Sequence, residues 1–336
     1  MKRKKVRNIE IILIIVLLLV FLCSLCAGNY GDFGEIVRFF VNKAVGLPID
    51  SKLETVLINI RIPRAVASVV IGAALAVSGL VYQNVFSNNM VSPDLLGVSS
   101  SAGCGAALSI LLGLSQHLRF VYAFIFSIFS IVLTTALSKL LKRKEGLLMA
   151  GIIVAGFARS GLGLFKFLSD SENGELDSIV NWELGSMGKA DWKELGFVLP
   201  VLLIILFVLY LFRRRISCLS FGDNAALLGI NVKAERVLAI VFSSLLVSLS
   251  TATCGVISWL GLIIPLAVSD MIGSNNIQEN YITCGLLGSI FLMLSDTLAR
   301  SLISSELPIS IMTGGIGLVV FCICVAAKKE KKYESA

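Results

Sequence analysis

Side chains able to do chemistry are sparse in this chain, and their spacing excludes more than it offers. The only histidine is His117, so no Ser-His-Asp constellation and no histidine-based metal site can be assembled. Of the eight cysteines, Cys23 and Cys26 have the spacing of a metal pair, but no second pair or nearby histidine completes a site. Those two fall in or beside apolar runs, as do Cys104, Cys254, Cys284, Cys322 and Cys324. Cys218 follows a basic turn, and all eight read as small apolar filler. No G-x-x-x-x-G-K-[ST] run exists, and Gly161-Leu-Gly163 lacks both the spacing and the lysine of a phosphate-cradling loop. No catalytic residue, metal site or cofactor is expected in the chain, and any ATP hydrolysis belongs on another subunit. One charge is out of place. Arg159 lies in Ala155-Gly-Phe-Ala-Arg-Ser-Gly161, within an apolar run. An ionisable residue there either lines a pathway, where it favours an anionic ligand, or snorkels from a misjudged span boundary.

The elements that must hold such residues are membrane spans. The chain has 336 residues, 56% hydrophobic and 15% charged, with mean hydropathy +0.89, whereas a soluble domain carries about 25% charged residues. Ten apolar segments can be placed, at about 9–28, 62–84, 95–114, 120–141, 146–168, 195–212, 234–254, 257–272, 281–299 and 308–327. The weak point is 234–272. Thr251-Ala-Thr-Cys-Gly255 breaks the run, so this stretch reads either as two spans or as one long span with a re-entrant piece. The N-terminus imitates a signal peptide, and Cys26-Ala-Gly28 imitates a lipoprotein cleavage box. Its apolar run of about 19 residues is too long for a signal core and reads as an uncleaved first span.

The formal charge of +7 reads as topology rather than nucleic-acid binding. Basic clusters at 2–5, 142–144, 213–215 and 328–332 each abut the end of an apolar run, and all fall in the cytoplasm if both termini are inside. The segments at about 29–60 and 169–194 are then outside loops. Trp182 and Trp192 in the second suit a membrane interface.

Four motifs narrow the class. The first is Arg61-Ile-Pro-Arg64, then Gly72-Ala-Ala-Leu-Ala, Gly79, Gln83, Ser92-Pro-Asp-Leu-Leu-Gly97 and Ser99-Ser-Ser-Ala-Gly103. Its small residues let helices approach closely in lipid. The second is Leu219-Ser-Phe-Gly222-Asp223-Asn-Ala225-Ala226-Leu-Leu228-Gly229-Ile-Asn231, following Arg213-Arg-Arg215. Here Gly222 can turn the chain, Asp223 can cap a helix of barely two turns, and Gly229 can end it. The third is Gly255-Val-Ile-Ser-Trp-Leu-Gly261-Leu-Ile-Ile-Pro265. The fourth is Ser295-Asp296-Thr-Leu-Ala-Arg300 with Glu306-Leu-Pro308. Together these resemble the FecCD-type iron-siderophore, haem and cobalamin permeases of ABC importers over roughly 60–320. Leu266 and Ser269 stand where that family usually has His and Arg, so no role carried by those residues transfers. Ser310 replaces a usual Gly, and Gly317-Leu-Val-Val-Phe321 is a degraded copy of the last motif.

The resemblance implies roles. Gly222, Asp223, Ala225, Ala226, Leu228 and Gly229 would form the coupling helix that docks in a groove of the ATPase. Arg61, Arg64 and Arg300, brought to one outer face, would receive acidic residues of a substrate-binding protein, or else anchor span ends. Asn88 and Met90 would line an inner gate, or simply make a turn. The expected protein is an all-α, single-domain permease over 1–336. It would have about ten spans, both termini cytoplasmic, and a place in the cell (inner) membrane. Expected partners are a second copy or a paralogous permease, two ABC ATPase subunits with the ATP, an extracellular binding lipoprotein and lipid, without nucleic acid. Trp182-x-x-Gly-Ser186 leans toward siderophores. The alternative is a self-contained secondary transporter or channel, with Arg159 and the Thr251–Gly255 break as its coupling sites.

Overall fold

The computed structural model describes residues 2–27, 33–48, 50–141, 146–302 and 306–334, with the side chains of Lys2, Arg3, Phe33, Asp223, Asn224, Leu228 and of residues beyond 324 outside the description. The predicted basic cluster 142–144 also lies outside the described residues. Among those described, every regular element is helical. In chain order they are α1 (Lys2–Cys26), α2 (Phe33–Val45), α3 (Ser51–Thr55), α4 (Ile62–Phe86), α5 (Val98–Leu111), α6 (Gln116–Leu141), α7 (Gly146–Leu168), α8 (Glu175–Glu183), α9 (Trp192–Cys218), α10 (Val232–Cys254), α11 (Leu260–Ile272), α12 (Ile277–Leu302) and α13 (Ile309–Glu334).

Each of the ten apolar segments contains one of these helices. Seven are long and apolar enough to cross a membrane, while α5, α11 and the described apolar part of α13 are shorter. The two outside loops are corrected, because both carry helices. Residues 33–61 form α2, α3 and a π-helical turn Val56–Arg61 that runs into α4. Mixed composition hid α2, whose Ile36 and Phe39 pack against Leu53 and Leu57. The other loop holds α8 and a 3-10 turn, Met187–Lys189.

Helix α4 is the central post, buried along most of its length. Small residues make that possible. A Cβ on Gly72 would lie 2.5 Å from the carbonyl oxygen of Gly288 in α12. One on Gly79 would lie 1.8 Å from the oxygen of Gly261 in α11. At both crossings the backbones touch, so dispersion and close packing hold the bundle where lipid removes the hydrophobic drive between helices.

Two helices are too short to span alone. At about 1.5 Å per residue, the 14 residues of α5 and the 13 of α11 reach roughly 20 Å, against a hydrocarbon core of about 30 Å. Non-helical backbone supplies the rest: residues 91–97, with a 3-10 turn Pro93–Leu96, before α5, and Gly255–Trp259 before α11. The 234–272 stretch is therefore two helices, broken at Gly255 (φ 77°) and restarted at Trp259 (φ 71°). Irregular backbone at that depth is tolerated only inside protein or beside a cavity, and these segments line one.

Candidate functional site

A half-open cavity of about 750 Å³ lies between the starts of α5 and α11. Ser92 and Asp94 line it from the first broken segment, Ser99 from the start of α5, Ser258 and Trp259 from the second broken segment, and Arg159 from α7. Asp94 accepts a hydrogen bond from Ser99 Oγ at 2.8 Å. Lys166 and Glu183 pair with each other on the wall. The Arg159 side chain is exposed in the middle of α7 and has neither a hydrogen bond nor an ion pair among the described residues. The pathway alternative for Arg159 thus has a cavity to serve. The helix N-termini of α5 and α11 add partial positive charge to the same space.

One end of the cavity is closed by the Trp182-x-x-Gly-Ser186 motif. Ser186 N donates to Cys254 O at 2.8 Å. Ile309 N and Ser310 N donate to Gly185 O and Leu184 O at 3.2 and 3.1 Å. Ser310 Oγ, where the resemblance leads one to expect glycine, donates to Val256 O at 2.6 Å. Three chain segments are knotted there. Trp182 is buried in that knot's support, only 4% exposed, which corrects its interfacial reading. Trp192 is 42% exposed, its Nε1 donating to Ile58 O.

Beside the knot, at the start of α4 and the end of α12, the three arginines come together as the motifs imply. Their guanidinium groups are engaged within the chain. Arg64 Nη2 lies 2.8 Å from Asp296 Oδ1, and its Nη1 donates to Glu306 Oε1 at 3.0 Å. Arg61 Nη1 donates to Leu25 O at 2.8 Å. Arg300 donates to Ala27 O at 3.0 Å and to Ser24 Oγ at 2.8 Å. Arg61 and Arg64 are each 5% exposed. The expectation of three arginines open to a partner is therefore revised. They tie α1, α4 and α12 together, and the outward-facing charge is Glu306, whose side chain is 49% exposed.

The opposite end of α4 meets the Leu219–Leu228 segment. Ser87 takes a left-handed cap, φ 50°, and its Oγ donates to Ser220 O at 3.3 Å. Residues Leu219–Leu228 form 3-10 rather than α-helix, kinked at Gly222 (φ 61°, ψ −134°) and ended at Gly229 (φ 76°). Both glycines act as the sequence implies. The two alanines differ: Ala225 is fully buried within the chain, and Ala226 is exposed. The side chains of Asp223 and Leu228 lie outside the described set. Phe221 and Leu227 are 63% and 86% exposed, a pair of apolar tips that motif reading passed over because nothing in the sequence separates them from core residues. Asn88 accepts from Met90 N through Oδ1 at 2.9 Å, a local turn. Met90, 60% exposed, sits beside that turn and outside the cavity lining.

The profile of the FecCD transport family matches residues 15–327. The chain belongs to the FecCD transport family. It is a permease of the ABC-importer class, so the secondary-transporter alternative is set aside. The molybdate import permease MolB of Haemophilus influenzae is 33% identical over 287 residues, 84% of each chain. The hemin permease HmuU of Yersinia pestis is 31% identical, covering 82% of this chain and 84% of its own. The vitamin B12 permease BtuC of Citrobacter koseri is 31% identical, covering 78% and 80%. A solved structure described as an inward-facing conformation of a metal-chelate type ABC transporter superposes with TM-score 0.86 at 31% identity, over 96% of this chain and 99% of that one. The FecCD permease therefore shares its helical frame with that transporter, and its broken helices sit in a multi-pass membrane protein.

Proposed function

We propose that this FecCD permease is the membrane pore of a binding-protein-dependent ABC importer for an iron chelate, preferentially an anionic one. The seven long helices together with α5, α11 and α13 make ten spans, with both termini in the cytoplasm. Two copies, or one copy and a paralogue, enclose the pathway in the cell membrane. Two ATPase subunits bind the ATP and grip residues 219–231. The observation that carries the reading is the Leu219–Leu228 segment: kinked at Gly222, hooked to α4 through Ser87, and tipped by exposed Phe221 and Leu227. A short apolar-tipped segment is what a groove on a partner can hold.

The Arg64 end faces the extracellular binding lipoprotein. An acidic side chain of that partner competes with Glu306 for Arg64. Glu306→Gln then tightens binding-protein association, whereas equal affinity for both forms would remove Arg64 from docking. The decisive experiment for the whole reading is purification of the tagged permease from its own cells in mild detergent. An ABC ATPase that copurifies with it supports the reading, and a permease that transports without one ends it.

A further inference from the structure

A second, much smaller cavity of about 50 Å³ lies beside the closing knot, against α6, α8, α9 and α10. Arg119, Lys189, Glu194, Trp182 and Phe120 form its wall, with Gln116 at its rim. Lys189 Nζ and Arg119 Nε are both shut off from solvent, and neither has a hydrogen-bond partner. Buried donors without acceptors are rare and call for an unseen partner. Lys189 Nζ stands 6.0 Å from the Trp182 ring centre, too weak a contact to replace a counter-charge. The one acid in the wall does not supply it. Glu194 Oε1 lies 3.4 Å from His117 Nδ1 and makes no ion pair with either cation among the described residues. Burial pushes the Lys189 ammonium down to about 8, and the like charge of Arg119 adds to the effect. A lysine with that value is still mostly protonated at pH 7.

Two cationic donors thus share one small space with a single carboxylate, Glu194, whose buried Oε1 makes no hydrogen bond and pairs with neither of them, so positive charge is left in excess. Water fits, since each needs roughly 10–15 Å³ of such volume, and it can accept the hydrogen bonds. It cannot cancel two like charges in a low-dielectric setting. A small anion does both. The volume is too small for a metal chelate.

We infer that this cavity binds a single small inorganic anion of halide size, held between Arg119 and Lys189. The site pins the outer ends of α6, α9 and α10 to the Met187–Lys189 turn, and it is separate from the transport cavity.

The test uses the full chain purified in detergent in sodium gluconate, titrated with sodium chloride at constant ionic strength while thermal unfolding is followed. A specific site raises Tm in a saturable way, because an ion that binds only the folded state stabilises it by mass action. Lys189→Met and Arg119→Gln lose that rise. No chloride-specific shift in the unaltered chain would overturn the assignment, and that titration decides even if a variant fails to fold. A shift undiminished in both variants would overturn it as well. So would a response to sulfate or molybdate with none to chloride.

Discussion

Asp296 and Arg64 are 232 residues apart in sequence and face each other at 2.8 Å where α12 passes the start of α4. Asp296 is 1% exposed, so its charge is bearable only because Arg64 is there. Removing one partner of a buried pair typically costs about 3–5 kcal/mol, because the other charge stays behind. Asp296→Ala should therefore lower the detergent-phase Tm sharply. Glu306→Gln, at a half-exposed position on the same guanidinium, should cost only about 0–1 kcal/mol. Equal losses from the two variants would mean that burial does not separate their roles.

Close backbone approach sets a second expectation. At Gly79 even one methyl group meets the Gly261 carbonyl, and neither helix can yield without opening the α4–α11 contact. Gly79→Ala should abolish the monodisperse peak in detergent size-exclusion chromatography. Gly156→Ala on α7, where nothing lies within 4 Å, should leave it unchanged. A normal profile for Gly79→Ala would show that the crossing is looser than described.

The coupling segment should divide by the direction each residue faces. Leu227→Asp and Ala226→Trp should leave insertion intact while ATPase copurification and uptake fall together. Ala225→Leu, at a fully buried position, should act instead on the fold, with overpacking costing about 1–3 kcal/mol. Gly229→Pro forces φ near −65° where the chain needs 76° and should also uncouple. Transport that survives both Ala226→Trp and Leu227→Asp would refute this surface.

Arg159→Ala should reduce uptake of an anionic chelate without changing assembly with the ATPase, and Arg159→Lys should retain part of it. The comparison is uptake at equal membrane abundance. No difference between the three forms would leave the residue without a pathway role.

The helices were legible because a bilayer demands long apolar runs: the ten segments read from hydropathy each overlap a helix, and seven of those helices are long and apolar enough to cross a membrane. Gly222 and Gly229 were legible for a local reason: both adopt the positive φ that their spacing implied. What stayed hidden depends on partners distant in sequence. Arg61, Arg64 and Arg300 were correctly grouped, but the motif alone could not show that Asp296 and the Leu25 and Ala27 carbonyls already occupy them. The α2 helix was missed because its apolar face matches a short patch at Leu53 and Leu57 rather than a continuous hydrophobic run. Lys189 looked like one more outside lysine, since burial of its Nζ is a property of packing.

Helix α4 has 25 residues, which at 1.5 Å each makes a rod about 37 Å long, wedged against two neighbours without slack. One tip is hooked to the Leu219–Leu228 segment by Ser87, and the other is bolted to α12 by Arg64. A rod fastened in this way behaves as a lever. A tug on Ser220 would then reach the far tip as torque on the Arg64–Asp296 bolt, which makes a double-mutant cycle between Ser87 and Arg64 the measure of that link. Such a path would run equally in reverse, from Glu306 to the Leu219–Leu228 segment.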